Sequence, residues 1–384
     1  DAKKVIKKAK KKGINGEKLD TLLIQLKAVN DTPVPSHTQL ASLLDCYQNG
    51  RLGEAEKLAI SISLEFPNHP FSWKVLGAVL AQTGRHLEAL KANQAAVELS
   101  PQDADVHYNL GNIFKQLERL ECSEASYIMA IGLKPDFAEA HCNLGIVLQE
   151  MERFDHAKES YMQAVALEPG NVEAHNNLGN TLKELGRLEE AAAIYRQAIM
   201  LKPEYAEVHS NLGITLKELG RLDEAEVCLR QAIALKPDYA EACSNLGVTL
   251  QEAGRLEEAE VSLRQAIALK PDLAEAHSNL GTTLKQLGRL HEAEACYMQA
   301  IPLNPNNAEI LYNLGNVLKE LGRLEEAVIY YIQAIALEPS YTETHNNLGL
   351  ALQEQGRLEE AEASYKQAIA LEPDLADAHH NLSF

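Results

Sequence analysis

The chain has 384 residues, of which 24% are charged and 46% hydrophobic, the balance of an ordinary folded chain in water. Its formal charge of −19 is uneven: residues 1–31 carry nine Lys against Asp1, Glu17, Asp20 and Asp31, giving +5 and leaving −24 on the rest. An acidic body of this kind repels phosphate backbones, which argues against nucleic acid as a ligand, and no apolar run of about 18 residues or signal-peptide pattern places the chain in a membrane.

Residues 1–35 form a basic leader, helical or flexible, with Lys3, Lys4, Lys7, Lys8, Lys10, Lys11 and Lys12 at its start. The reading is a solvated segment that packs on the neighbouring part of the chain through Leu22, Leu23, Ile24 and Leu26. An anionic surface or a nuclear address is the alternative use of such a lysine cluster. Pro33 and Pro35 mark its junction with the remainder.

From residue 36 the chain is periodic. Prolines at 67, 101, 135, 169, 203, 237, 271, 305, 339 and 373 are each 34 residues apart. With proline as position 32, complete units begin at 36, 70, 104, 138, 172, 206, 240, 274, 308 and 342, and an eleventh from 376 stops at Phe384. Leu recurs at position 7, Gly at position 8 and Ala at position 27. Asp238 to Glu241 and Asp272 to Glu275 have the spacing of capping boxes that start a first helix, as do Asn306 to Glu309 and Ser340 to Glu343. Glycines at 186, 220, 254, 288, 322 and 356 suit the left-handed residue that ends it. A second helix, such as Leu188 to Leu201, then runs toward the proline. The predicted fold is all-α, a right-handed α-solenoid of helix-turn-helix hairpins over residues 36–384 in which each unit buries its apolar face against its neighbours.

These slots, with Ala at position 20, Tyr at position 24 (127, 161, 195, 297, 331, 365) and the closing proline, resemble the tetratricopeptide repeat over about residues 36–384. Position 4, often Trp in that family, is here usually His, and unit 104–137 departs with Glu118 for Gly and Ser123 for Ala, which predicts a looser turn there. The wording of the repeats, as in Ala-His-Ser-Asn-Leu-Gly at 276–281 and Gln-Ala-Ile-Ala-Leu-Lys-Pro-Asp at 231–238, is similar to the O-linked N-acetylglucosamine transferases and their bacterial relatives. Similar wording also precedes other catalytic domains and occurs in free-standing adaptors.

Position 6 is Asn in nine successive units: Asn109, Asn143, Asn177, Asn211, Asn245, Asn279, Asn313, Asn347 and Asn381. Folding has no evident need of it there, and its amide offers both a donor and an acceptor to an extended peptide backbone. Helices roughly 8–10 Å apart match about three residues of extended chain at ~3.3 Å each. The resemblance implies the same role, since an asparagine ladder holds the substrate chain in the sugar transferases. Unit 70–103 has Val75, so the ladder begins at Asn109. The competing reading is that these amides only tie one repeat to the next.

The seven histidines at position 4 (107, 141, 175, 209, 277, 345, 379) lack the local second ligand a metal needs and read as packing between the two helices. Arg at position 16 reads as a bridge between repeats. Position 2 is acidic nearly throughout, which would repel the acidic peptide ends that chaperone-docking repeats clamp. The six cysteines (46, 122, 142, 228, 243, 296) share no metal or redox spacing and read as reduced, packed thiols.

No nucleophile with a partner base, P-loop, dinucleotide fingerprint or metal spacing occurs, so this chain itself is read as non-enzymatic and without a cofactor. Its end inside a first helix suggests a piece of a longer protein. The expected function is a peptide-binding scaffold in the cytoplasm, or cytoplasm and nucleus in a eukaryote, taking protein or peptide ligands in extended form; a homodimer is compatible with the pattern. The favoured setting is the recognition arm of an O-GlcNAc-transferase-like enzyme whose catalytic domain, with its nucleotide sugar, lies beyond residue 384. The alternatives are a free-standing adaptor or an arm on another catalytic domain.

Overall fold

The computed structural model describes residues 34–383; the lysine cluster of the leader and the readings placed on it lie outside them. Twenty-one α-helices and no strand occur among the described residues, and the chain divides into two compact units, Asp1–Pro169 and Gly170–Phe384.

The described part of the first unit holds four hairpins: α1 His37–Gln48 with α2 Leu52–Glu65, α3 Pro70–Gln82 with α4 His86–Leu99, α5 Ala104–Gln116 with α6 Leu120–Leu133, and α7 Ala138–Glu150 with α8 Phe154–Leu167. The second holds six: α9 Val172–Glu184 with α10 Leu188–Leu201, α11 Ala206–Glu218 with α12 Leu222–Leu235, α13 Ala240–Glu252 with α14 Leu256–Leu269, α15 Ala274–Gln286 with α16 Leu290–Leu303, α17 Ala308–Glu320 with α18 Leu324–Leu337, and α19 Thr342–Glu354 with α20 Leu358–Leu371, and then α21 Ala376–Leu382. Within each unit every hairpin packs on the next, so apolar faces are buried between neighbours, as a repeat array requires.

The turn between paired helices is built by one residue. Gly186 has φ +70°, its N–H donates to the Lys183 carbonyl (2.8 Å), and the Arg187 N–H reaches the Leu182 carbonyl (2.8 Å). That is the double bond of a Schellman ending, which satisfies carbonyls the helix would otherwise leave open. Glu118 and Glu152 adopt the same left-handed conformation, with φ 56° and 57°. The expected looser turn at Glu118 is not found: Glu118 N–H to Lys115 (3.0 Å) and Arg119 N–H to Phe114 (2.9 Å) repeat the bonds of the glycine turns. Packing of the hairpin holds a side chain where an L-residue is disfavoured.

Glycine at position 8 has a different reason. A Cβ on Gly179 would lie 2.5 Å from the Tyr195 ring, and Gly111, Gly145, Gly315 and Gly349 meet Tyr127, Tyr161, Tyr331 and Tyr365 as closely. These tyrosines are 0–2% exposed and form the centre of each hairpin, each contributing on the order of 2–3 kcal/mol by burial. In two units Leu229 and Leu263 take the tyrosine's place over Gly213 and Gly247.

The expected capping boxes are not formed. α13, α15 and α19 start one residue later than the boxes require, with Tyr239, Leu273 and Tyr341 as N-caps and no side-chain cap; only Asn307 caps α17, accepting from the Ile310 N–H (3.1 Å). The tight turn over Pro-Asp, with the Tyr239 N–H on the Lys236 carbonyl (3.1 Å), moves the helix start past Asp238. Glu241 then pairs with Lys270 (2.8 Å).

The position-4 histidines also act differently from the expectation of packing between helices. Nε2 of His107, His141, His209, His277, His345 and His379 donates to the carbonyl of the proline six residues earlier, at 2.8–3.1 Å. Trp73 does the same with Nε1 to Pro67 (2.9 Å), so Trp and His serve one purpose, stapling the loop to the helix it precedes. His175 is the exception, with Nδ1 on the Asn171 carbonyl (2.8 Å).

Most position-16 arginines bridge repeats as expected, among them Arg85, Arg153 and Arg221, whereas Arg51 and Arg357 bond only within their own units. Arg255, Arg289 and Arg323 each hold a glutamate three residues on and one in the preceding unit, Glu226 (2.5 Å), Glu260 (2.6 Å) and Glu294 (2.5 Å). Burial pushes the Glu226 and Glu260 carboxyls up, but two arginines apiece outweigh it and hold both below the usual range. Among the thiols, Cys46, Cys142 and Cys243 are buried, whereas Cys122 is exposed, against the expectation of packing.

Candidate peptide-binding face

The first helix of each hairpin carries the ladder. All nine asparagines are half-buried, and the structure sorts eight of them by what the preceding unit offers at positions 5 and 9; the ninth, Asn177, lies on α9, the first helix of the second compact unit. Asn143 donates from Nδ2 to the Tyr108 hydroxyl and the Asn112 Oδ1, both 3.0 Å away. Asn211 donates to Asn176 (3.0 Å) and Asn180 (3.2 Å), Asn347 to Tyr312 (3.1 Å) and Asn316 (2.9 Å), and Asn381 to Asn346 (3.1 Å). For these four, tying one repeat to the next is an observed role.

Asn245, Asn279 and Asn313 differ. The preceding unit presents Ser210 and Ile214, Ser244 and Val248, or Ser278 and Thr282 at the two partner slots. A serine is too short and an aliphatic chain has no acceptor, and among the described residues these three side-chain amides make no hydrogen bond to the protein. Asn109 is preceded by Lys74 and Ala78 in those slots, and Lys74 is engaged by Asp103 (3.0 Å) and Asp105 (2.8 Å). Asn245 and Asn279 line one concavity of about 350 Å³ with Val248, Ser278, Thr282 and the N-terminal ends of α15 and α17. Its charged lining is Glu275, Glu309 and Lys217, net acidic by one. Nearby, the Lys270 ammonium holds the Glu241 carboxyl below its ordinary range, and Lys217 pairs with Glu252 at 3.4 Å.

Position 6 was visible as a period in the sequence, but positions 5 and 9 were not singled out. Tyr108, Asn112, Asn176, Asn180, Tyr312, Asn316 and Asn346 occupy them irregularly, and the signal available was a polar pair four residues apart on a helix facing the next unit's asparagine. No group of three or more metal-ligating side chains occurs among the described residues, and no described helix is long and apolar enough to cross a membrane.

Paired helices, the left-handed turn, the glycine under a buried tyrosine and the 34-residue period together define a tandem tetratricopeptide-repeat array, a protein-interaction scaffold. Sequence models of the tetratricopeptide repeat match residues 77–118, 104–137 and 138–171. The model described as the cilia and flagella-associated protein 70 C-terminal domain matches residues 166–382, more than half of the chain, and the chain belongs to that family of repeats. Comparison with curated proteins returned no match. Among solved structures, the chain is similar to pilF of Pseudomonas aeruginosa (21% identity, TM-score 0.51, 55% of this chain and 96% of that one). It is also similar to the APC/C Cut9–Hcn1 hetero-tetramer (12%, 0.51, 89% and 94%). At these identities the likeness is one of fold. YrrB, described as a TPR protein with an unusual peptide-binding site, aligns at 28% identity over 49% of this chain and 96% of its own, with a TM-score of 0.44.

Proposed function

We propose that the array holds polypeptide in extended form on its first-helix face, and that Asn245, Asn279 and Asn313 do the holding. The observation that carries this is their state: three consecutive half-buried amides with no protein partner, two of them in one concavity. These amides are open to solvent and unspent on the protein, so backbone N–H and C=O groups of a ligand can take the place of water on them. Asn143, Asn211 and Asn347 each donate from Nδ2 to two acceptors and Asn381 to one, but each keeps its Oδ1 as an acceptor, so they serve as weaker rungs. The net acidic lining favours neutral or basic ligand segments over acidic ones.

The test uses a labelled Ser/Ala peptide of about fifteen residues, which at ~3.3 Å per residue spans several first helices. Replacing Asn245, Asn279 and Asn313 together with Ala removes bonds worth about 1 kcal/mol each, so affinity falls about 100-fold with the melting temperature unchanged. If the triple variant binds the peptide as the parent does, the ladder is not the ligand site.

The wider setting we propose is the recognition arm of a protein O-glycosyltransferase, with catalysis and the nucleotide sugar supplied by another domain. Its support is the wording of the repeats, such as residues 276–281 and 231–238. The complete reading frame decides it: a nucleotide-sugar-binding α/β region after residue 384 agrees, whereas a capping helix and a stop codon leave a free-standing adaptor.

A further inference from the structure

Among the hairpins with glycine at position 8, one lacks the large side chain that fills the others; unit 36–69 instead has Leu43 at position 8 opposite Ala59. In unit 70–103 the glycine of position 8 is present as Gly77, but position 24 is Asn93, where six other units have tyrosine and two have leucine. Asn93 is 0% exposed; its Nδ2 donates to the Ala89 carbonyl (2.9 Å), and its Oδ1 is buried without a hydrogen-bond partner. The missing volume is there as a cavity of about 360 Å³, bounded by Gly77, Ala78, Ala81 and Asn93, that is, by positions 8, 9, 12 and 24. Elsewhere the tyrosine ring and hydroxyl use those same positions: Tyr127 lies on Gly111 and donates to Asn112 (2.6 Å), and Tyr161 lies on Gly145 and bonds Gln149 (3.3 Å).

The lining is uncharged and mixed: Tyr47, Ala78, Ala81 and Ile113 stand beside the amides, and the Tyr47 hydroxyl accepts from Gln82 Nε2 (3.2 Å). Buried Nδ1 of His86 also has no partner, Asn109 and Asn112 stand on the facing helix, and Gln82 and Gln116, both exposed, mark an opening to solvent. No charged side chain lines it, so an ion would enter without a counter-charge. Asn109, the first rung of the ladder, is part of the wall.

We propose that this cavity takes a tyrosine side chain of a bound polypeptide, its ring entering beside Gly77, Ala78 and Ala81 and its hydroxyl meeting the amides of the facing helix, Asn109 and Asn112, so that the ligand supplies an aromatic ring where the short Asn93 leaves room. The volume falls at the low end of small-ligand pockets. An aromatic anchor with one polar tip is the group that a mainly neutral, amide-lined hole binds best, and such anchors dominate interfaces. The inference rests on the reading that this face binds extended peptide, and adds to it a side-chain preference at one place.

The experiment compares the labelled Ser/Ala peptide carrying one central Tyr with the same peptide carrying Ala, by fluorescence anisotropy. The Tyr peptide is expected to bind about tenfold tighter or more. Asn93→Leu and Asn93→Tyr, which fill the hole as other units do, should bring the ratio to within about twofold while leaving the Ala peptide's affinity unchanged. Should either variant fail to fold, p-cresol added to the parent protein is expected to lower the Tyr peptide to the Ala peptide's level and leave the latter alone. Equal affinities in the parent protein mean a cavity filled by ordered water only and overturn the proposal, as does a preference that survives both variants or p-cresol. If the triple Asn→Ala ladder variant leaves both affinities unchanged while the Tyr preference persists, the ladder fails and the cavity stands.

Discussion

Glu118 and Glu152 show what a single position contributes. Both sit at positive φ where six later turns use glycine, and a left-handed L-residue costs roughly 1–2 kcal/mol. Glycine removes that strain but gives back part of it as unfolded-chain entropy. Glu118→Gly and Glu152→Gly are therefore each expected to stabilise the fold by about 0.5–1 kcal/mol, read from urea unfolding; unchanged or lower midpoints would show that the glutamates are held by contacts of their own. Gly179 is the opposite case. Its Cβ would collide with a fully buried ring, so Gly179→Ala is expected to destabilise by about 1–3 kcal/mol, as overpacking does. Both glycine slots were equally plain as periods in the sequence. Their reasons were not, because one is a dihedral angle and the other a distance to a residue sixteen positions away.

At the scale of the helix, one residue type at one position of the first helix occurs in two states. Asn211 spends its amide hydrogens on Asn176 and Asn180, whereas Asn245 in the next unit has no acceptor in reach. Asn211→Ala should lower stability by about 1 kcal/mol, and Asn245→Ala should leave it near the parent value. Equal losses in thermal melts would mean that all nine asparagines are structural. Sequence periodicity could not separate these cases, since the deciding residues lie 31 and 35 positions earlier and vary from unit to unit. The capping boxes misled for a related reason: the pattern was right, but the turn over Pro-Asp placed the helix start one residue too late for it.

Across the whole molecule, buried phenols tie stability to alkaline pH. Burial pushes the Tyr297 hydroxyl up to about 12 and raises Tyr127, Tyr161, Tyr195 and Tyr331 as well. Below pH ~10 these phenols are neutral in folded and unfolded chains alike; above it the unfolded chain ionises and the folded one does not, so stability falls as pH rises from about 10 through the folded values. Tyrosinate absorbance from these rings should appear together with loss of helicity between about pH 10 and 12, and its appearance with helicity intact would contradict the packing described.

The sequence alone determined the architecture and the period of the asparagines, because a repeat copies each packing requirement at a constant interval and makes it countable. The all-α class, the hairpin boundaries, the left-handed turn and the repeat-bridging arginines were all legible in this way. Only the tertiary structure decided which asparagines are occupied, what the histidines hold, and that a cavity opens beside Asn93. Those properties depend on the fit between side chains of neighbouring helices, where one missing ring or one short serine changes the outcome without disturbing the period.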